Sequence, residues 1–186
     1  MNYFSVTDLP LAGLKRIARN QIEDDRGFLC RIFCAEELAE VGWNKPIAQV
    51  NHTYTIRRGT VRGMHYQRKP STEMKLISCI RGEVLDVAVD LRVGSHTFLH
   101  WYSEILSVGN KSALLMPEGF AHGFQTLSDE VELIYCHSAA YSPDAEAGLN
   151  PKDPMLAITW PLTITEISLK DAKHPLIDSN FQGVFL

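Results

Sequence analysis

The sequence predicts an all-β fold, a sandwich or jelly roll with small helical additions. Three observations carry this. Short apolar runs recur through the middle of the chain. Pro and Gly punctuate them every dozen residues or so. Two of the runs alternate with period two. In chain order, Ala35–Val41 reads as a short helix stopped by Gly42. Lys75–Ile80 reads as a strand, with Arg81-Gly82 turning the chain into the next one. From Val84 to Leu91 the alternation puts Leu85, Val87, Val89 and Leu91 on one face and Asp86, Ala88 and Asp90 on the other. Phe98–Leu106 is rich in aromatic and β-branched residues, so it is expected to be a strand. Ser112–Met116 is a short apolar run that stops at Pro117. Val131–His137 alternates again, with Leu133, Tyr135 and His137 sharing a face. A second short helix is expected near Ser168–Ala172.

Composition narrows the function classes. The chain has 186 residues, 45% apolar and 22% charged, which is the ordinary globular range and suits a single domain over residues 1–186. That much apolar content argues against disorder. A formal net charge of -4 argues against a nucleic-acid partner. No apolar run is long enough to suggest a membrane span. The first thirteen residues have no basic stretch leading into an apolar one. The four cysteines, Cys30, Cys34, Cys79 and Cys136, form no CxxC pair and are too sparse for a disulfide scaffold. A cytoplasmic protein with reduced, buried structural thiols is the expectation.

Three segments carry chemistry. Arg58–Gln67 (RGTVRGMHYQ) sets two Arg-Gly pairs before a histidine. Glycine lets backbone or ligand approach closely, arginine offers a fork for phosphate or carboxylate, and histidine exchanges a proton near neutral pH. An isolated histidine is more often a satisfied core residue, but the crowding of Arg58, Arg62, His65, Tyr66 and Gln67 argues for a site. Pro117–Phe124 (PEGFAHGF) has the P-x-G-x-x-H turn carried by small barrels of the cupin type, which would point His122 into the barrel. The H-x-H segment of metal-binding cupins is absent, because His65 is followed by Tyr66 and Gln67. No convergent ligand set appears at metal-binding spacing, so no metal is expected. The third segment holds Tyr135, His137 and Tyr141. Core packing is the ordinary role of such tyrosines. The alternative is that Tyr135 faces the same cavity as His65 and donates its phenolic proton.

In order along the chain, RGTVRGMHYQ, KLISCIRGEVLDVAVDLRVGS, PEGFAHGFQTLSDEVELIY and KDPMLAITWP resemble the nucleotide-sugar 3,5-epimerases, most closely the dTDP-4-dehydrorhamnose 3,5-epimerase family. The resemblance runs from about residue 14 to about residue 176. It implies a cupin-like jelly roll, a homodimer with exchanged N-terminal strands, and no cofactor or metal. It also implies site residues where motifs match: His65 as the base, Asp171 as its partner, and Tyr135 as the acid on the opposite sugar face. Lys75 and Arg62 would line the sugar and stabilise negative charge, with His122 and Asp86 as polar groups around the cavity. Gln49 and Asn51 match a nucleotide-sugar contact segment. Arg26 and Phe28, in DDRGF, match a segment that reaches the neighbouring subunit's nucleotide. Tyr141 and Glu146 fall in a nucleotide-proximal loop.

Three positions depart from the family pattern. Arg31 stands where a glutamate is usual, Glu73 where a glutamine is usual, and Pro151-Lys152 replaces a Trp-Asn pair. The implied reaction is proton abstraction alpha to the ketone of a dTDP-linked 4-keto-6-deoxy sugar, followed by reprotonation from the other face. That chemistry needs no electron sink, in keeping with the lack of a G-x-G-x-x-G fingerprint. Competing readings are a 3- or 5-monoepimerase or 3,4-ketoisomerase on a related nucleotide sugar, a non-catalytic sugar-binding jelly roll, and a metal-dependent cupin. Tyr135 favours epimerisation among them.

Overall fold

The computed structural model describes residues 3–186, so the first two residues of the N-terminal stretch lie outside the description. Fourteen strands follow one another as β1 (Phe4–Asp8), β2 (Lys15–Arg19), β3 (Gln21–Asp24), β4 (Gly27–Cys30), β5 (Gln49–Thr55), β6 (Thr60–Gln67), β7 (Lys75–Arg81), β8 (Glu83–Asp90), β9 (Trp101–Ser107), β10 (Ser112–Met116), β11 (Phe120–Thr126), β12 (Val131–His137), β13 (Glu146–Gly148) and β14 (Glu166–Ile167). Two short helices, α1 (Ala35–Ala39) and α2 (Leu169–Ala172), interrupt them. One sheet runs β1-β2-β10-β7-β12-β5 and the other β13-β6-β11-β8-β9, with β14 parallel to β6. The non-sequential neighbours are those of a jelly roll, as expected, and the fold is cupin-like.

Alternation explains how each strand serves two layers. Successive side chains point to opposite faces. Between the sheets lie Ile77 and Cys79 of β7, Leu114 and Met116 of β10, Phe120 and Phe124 of β11, and Leu133 and Tyr135 of β12. The intervening residues Leu76, Ala113, Leu115 and Cys136 face outward and are covered by Leu38 of α1 and by Trp43. On the second sheet, Met64, Tyr66, Val87, Val89 and Leu91 face outward under Leu149, Leu156 and Val184. In β8 it is therefore the Asp86/Ala88 face that looks inward, while the apolar face packs against the C-terminal third of the chain.

Two element boundaries differ from expectation by more than one residue. Phe98 and Leu99 are turn residues, with Leu99 in a left-handed backbone (φ 63°), and β9 starts only at Trp101. Helix α1 ends at Ala39, and Gly42 follows as an extra turn with φ 114°. Among the cysteines, all free, Cys79 and Cys136 are buried, but Cys30 and Cys34 are only half-buried because they flank the β3–β4 hairpin and its exit.

One irregularity positions the site. In the β6–β11 ladder His65 pairs with His122, yet Arg62 pairs with Phe124, so β6 carries an extra residue. The backbones cross closely there: a Cβ on Gly63 (φ 125°) would fall 2.5 Å from Gly123 Cα. Strict alternation puts residues three apart on opposite faces. The bulge lets both Arg62 and His65 face the interior.

Candidate active site

A cavity of about 220 Å³ opens between the sheets. Its walls include His65 and Arg62 from β6, Lys75 from β7, His122 and Phe124 from β11, Tyr135 and His137 from β12, Asn51 and Thr53 from β5, and Tyr141 and Glu146 from the following loop and β13. A larger groove of about 460 Å³ shares Arg62, His65 and Glu146 with it and continues to Lys170 and Asp171 on α2.

His65 is held by a carboxylate. Its Nε2 lies 2.7 Å from Asp171 Oδ1, which leaves Nδ1 as the nitrogen able to take a proton. Asp171 is fixed in turn: Ser168 caps α2 by accepting from the Asp171 amide at 3.0 Å, and the Gly63 amide donates to Asp171 Oδ2 at 3.2 Å. Burial pushes the Asp171 carboxyl up. The hydrogen bond from His65, the charge of that ring and the Gly63 amide outweigh burial and hold it below the usual carboxylate range. His65 is 41% exposed at its side chain, the access a base needs.

Across the cavity stands Tyr135, on the other sheet. Burial raises its phenol well above the ordinary value, so it keeps its proton, while Arg62 acts in the opposite sense and favours the phenolate. Its ring meets His122 edge-on, with centroids 5.6 Å apart, and stacks on His137 at 6.0 Å. His122 Nε2 lies 2.8 Å from Asp86 Oδ2. Burial raises the Asp86 carboxyl, opposed by His122 and Lys75.

Lys75 is buried at the cavity floor and pairs with Glu73 Oε1 at 2.7 Å; its Nζ also reaches the His65 carbonyl at 3.5 Å. Glu73 Oε2 lies 2.9 Å from His137 Nδ1, and His137 Nε2 lies 3.4 Å from Asn51 Nδ2. Burial pushes Glu73 up, but His137 and Lys75 outweigh it and hold the carboxyl at about 2. At the cavity mouth Gln49 Nε2 donates to Asn51 Oδ1 at 3.0 Å, and the Tyr141 amide donates to Gln49 Oε1 at 2.9 Å. Glu146 accepts from Tyr141 Oη at 2.8 Å and from Lys170 Nζ at 2.5 Å.

His65, Tyr135, Lys75, Arg62, His122, Asn51, Tyr141 and Glu146 thus line one cavity, Asp171 lines the adjoining groove, Gln49 bonds Asn51 and the Tyr141 amide at the mouth, and Asp86, fully buried, meets the cavity only through His122. Arg26 and Phe28 stand apart from it. They sit on the β3–β4 hairpin, a separate two-stranded sheet, with the Arg26 side chain 89% exposed and paired with Asp24 at 2.5 Å, and with Phe28 63% exposed. Arg58, part of the crowded motif, is exposed and lines neither cavity nor groove; its amide donates to Asp129. Arg31 ion-pairs with Glu37 of α1 and lies over the Tyr3 ring, so this departure braces the hairpin exit. Sequence reasoning missed Thr53, Phe124 and the Glu73–His137 pair as cavity features. It also missed His174, whose Nε2 lies 4.0 Å from Asp171 Oδ1.

His65, Asp171 and His174 form a group that could hold a metal ion among the described residues, one the sequence spacing hid. As placed, two of its ligand atoms are 2.7 Å apart, whereas two ligands on tetrahedral zinc stand about 3.3 Å apart. The geometry is that of a hydrogen-bonded pair. Among the described residues, no helix is long and apolar enough to cross a membrane.

Comparison with known proteins agrees with this geometry. The family model for dTDP-4-dehydrorhamnose 3,5-epimerase matches residues 8–179. A dTDP-4-dehydrorhamnose 3,5-epimerase of Sinorhizobium fredii is 39% identical over 172 residues, covering 90% of this chain and 86% of the relative. A dTDP-4-dehydrorhamnose 3-epimerase of Streptomyces niveus is 38% identical, covering 88% and 79%. The crystal structure of a dTDP-6-deoxy-D-glucose-3,5-epimerase from Legionella pneumophila, in complex with dTDP-4-keto-L-rhamnose, superposes with a TM-score of 0.91 at 37% identity over 98% of this chain and 99% of that one. An imidazole–carboxylate pair facing a phenol across a cupin-like cavity, in a chain matched over nearly its whole length, places this protein in the dTDP-4-dehydrorhamnose 3,5-epimerase family of isomerases.

Proposed function

We propose that the chain epimerises a dTDP-linked 4-keto-6-deoxy sugar at C3 and C5 without a metal or redox cofactor. One observation carries the reading: His65, backed by Asp171, and Tyr135 line one cavity from opposite sheets. A C–H bond next to the ketone breaks, its proton goes to His65 Nδ1, and the electron pair moves into the C4 carbonyl as an enolate. Lys75 and His122 supply the charge and donor that stabilise this oxygen. Tyr135 then delivers its phenolic proton to the carbon from the other side, and the keto group reforms. Solvent resets both groups. The cavity is smaller than the about 300–1,000 Å³ typical for larger ligands, so it suits the sugar ring, and the adjoining groove with Arg62 and Lys170 suits the nucleotide diphosphate.

The same reading takes the protein as a cytoplasmic homodimer. Four free thiols fit a reducing compartment. That Arg26 and Phe28 are exposed and do not line this chain's own cavity supports the reading that their hairpin completes a neighbour's site. The test is incubation with dTDP-4-keto-6-deoxyglucose in heavy water, followed by NMR. Deuterium and inversion at both C3 and C5 are expected; no exchange at either carbon would sink the proposal. Exchange at C3 alone would select a 3-monoepimerase, the reading that the Streptomyces niveus relative's name favours.

A further inference from the structure

Behind the His65–Asp171 pair lies a third imidazole that the proton-transfer scheme leaves idle. His174 follows α2 by two residues, just before Pro175. Its Nε2 is buried, lacks a hydrogen-bond partner and lies 4.0 Å from Asp171 Oδ1, the oxygen that also meets His65 Nε2 at 2.7 Å. The two imidazoles meet edge-on with centroids 6.3 Å apart. The surrounding backbone is shaped around this ring. Gly148 stands opposite His65 in the β13–β6 ladder, and a Cβ there would fall 2.2 Å from His174 Nε2. Asn150 Nδ2 ties the segment down by donating to the Ala172 carbonyl at 3.1 Å and the His174 carbonyl at 3.4 Å.

A buried ring nitrogen with no partner is costly, and the nearest charged acceptor is Asp171 Oδ1. We propose that His174 is a positioning residue for the base: its neutral imidazole directs Nε2–H at Asp171 Oδ1 and shares that oxygen with His65. The inference rests on reading His65 as the base. Burial, and then the neighbouring His65, lower the His174 pKa, which keeps the ring neutral. The consequence is electrostatic. A carboxylate that serves His65 alone holds a proton on that ring strongly, and a base already protonated cannot abstract one. A second donor takes up part of the carboxylate's charge and weakens that hold. The charged and titratable groups around the two rings are Asp171 and Lys170 of α2, Glu146 of β13, Glu166 of β14, Arg62 of β6, Lys75 of β7, His122 of β11, Tyr135 and His137 of β12, and Tyr141, and none of them changes in the variants below.

The experiment is NMR titration of the histidine ring protons in substrate-free protein, so it reads the pairing independently of turnover. In the wild type, His174 stays neutral while His65 takes up its proton; a His174 that protonates first overturns the proposal without any substitution. In His174→Met, similar in length but without a donor, the His65 titration midpoint moves up by about half a pH unit. The acid limb of kcat/KM moves with it. His174→Gln, whose amide nitrogen reaches near the Nε2 position, keeps the wild-type midpoint. An unmoved midpoint in His174→Met reduces His174 to packing. If the midpoints behave as stated while His65 variants keep full turnover, the base assignment fails and the pairing stands.

Discussion

Glu73 is the side chain that most changes the character of the cavity. A carboxylate here binds the ammonium of Lys75 and the imidazole of His137 at once, so the floor is an ion-paired cluster in place of a lone cation. Its pKa, held at about 2 against an ordinary value of 4.5, couples to stability with a definite sign. The unfolded carboxyl binds its proton first as pH falls, so the stabilisation is complete above pH about 4.5 and disappears toward about 2. Glu73→Gln, the residue usual in the family, should fold and should lose stability less steeply over that window than the wild type in urea titrations. A slope equal to the wild type would show that the ion pair contributes nothing. At this scale the sequence was informative wherever function and motif coincide: His65, His122 and Tyr135 stood out by type and neighbours. His137 was visible as a member of the Tyr135 segment, but without a partner. Its partner Glu73 lies two residues before β7, where alternation says nothing about direction. His174 was hidden because its relation to His65 is made by the fold, across more than a hundred residues of chain.

The β6–β11 bulge is the element on which the site geometry turns. Gly123 faces it from β11, and a Cβ there would fall 2.5 Å from Met64 Sδ and 2.9 Å from the Arg62 carbonyl. Gly123→Ala should therefore force β6 away, with a loss of about 1–3 kcal/mol by urea denaturation. It should also lower kcat by about 10²-fold, since His65 and Arg62 ride on the displaced strand. A variant as stable and active as the wild type would mean that the close crossing is not required. The strands themselves were legible, because period-two alternation survives from sequence into structure in β8 and β12. Which face looks inward was not. Asp86 and Ala88 point to the interior, since a C-terminal segment with no periodicity of its own covers Val87, Val89 and Leu91. The bulge left only its glycines as a trace.

At the scale of the whole molecule, the β3–β4 hairpin is unexplained by a single chain. Ile22, Phe28 and Leu29 are exposed on it. Contiguous exposed apolar side chains are a common feature of association surfaces, and the proposed homodimer would use these. Sedimentation should give a mass twice 20.9 kDa, and Phe28→Glu should shift the protein toward monomer. Arg26→Ala should raise KM for the nucleotide sugar with kcat little changed, as expected of a group that holds the substrate far from the reacting carbon. A fully active monomer would contradict both. Sequence patterning led to two packed sheets; the expectation of a dimer with exchanged N-terminal strands came from family resemblance alone, because an interface between copies leaves no periodicity in one chain.

The proposed epimerisation requires two proton-transfer groups acting from opposite sides of one sugar. Tyr135→Phe keeps the ring, its contact with His122 and its place on β12, and removes only the phenolic proton. With His65 and Asp171 intact, the base can still take the substrate proton and return one to the same face. Deuterium incorporation into recovered substrate, measured against epimer yield in heavy water, reads the two steps apart. The variant should exchange hydrogen for deuterium while forming little inverted product. Normal epimer yield would contradict the account by removing the phenol from the chemistry, and loss of exchange together with inversion would contradict it by showing that proton abstraction itself depends on Tyr135.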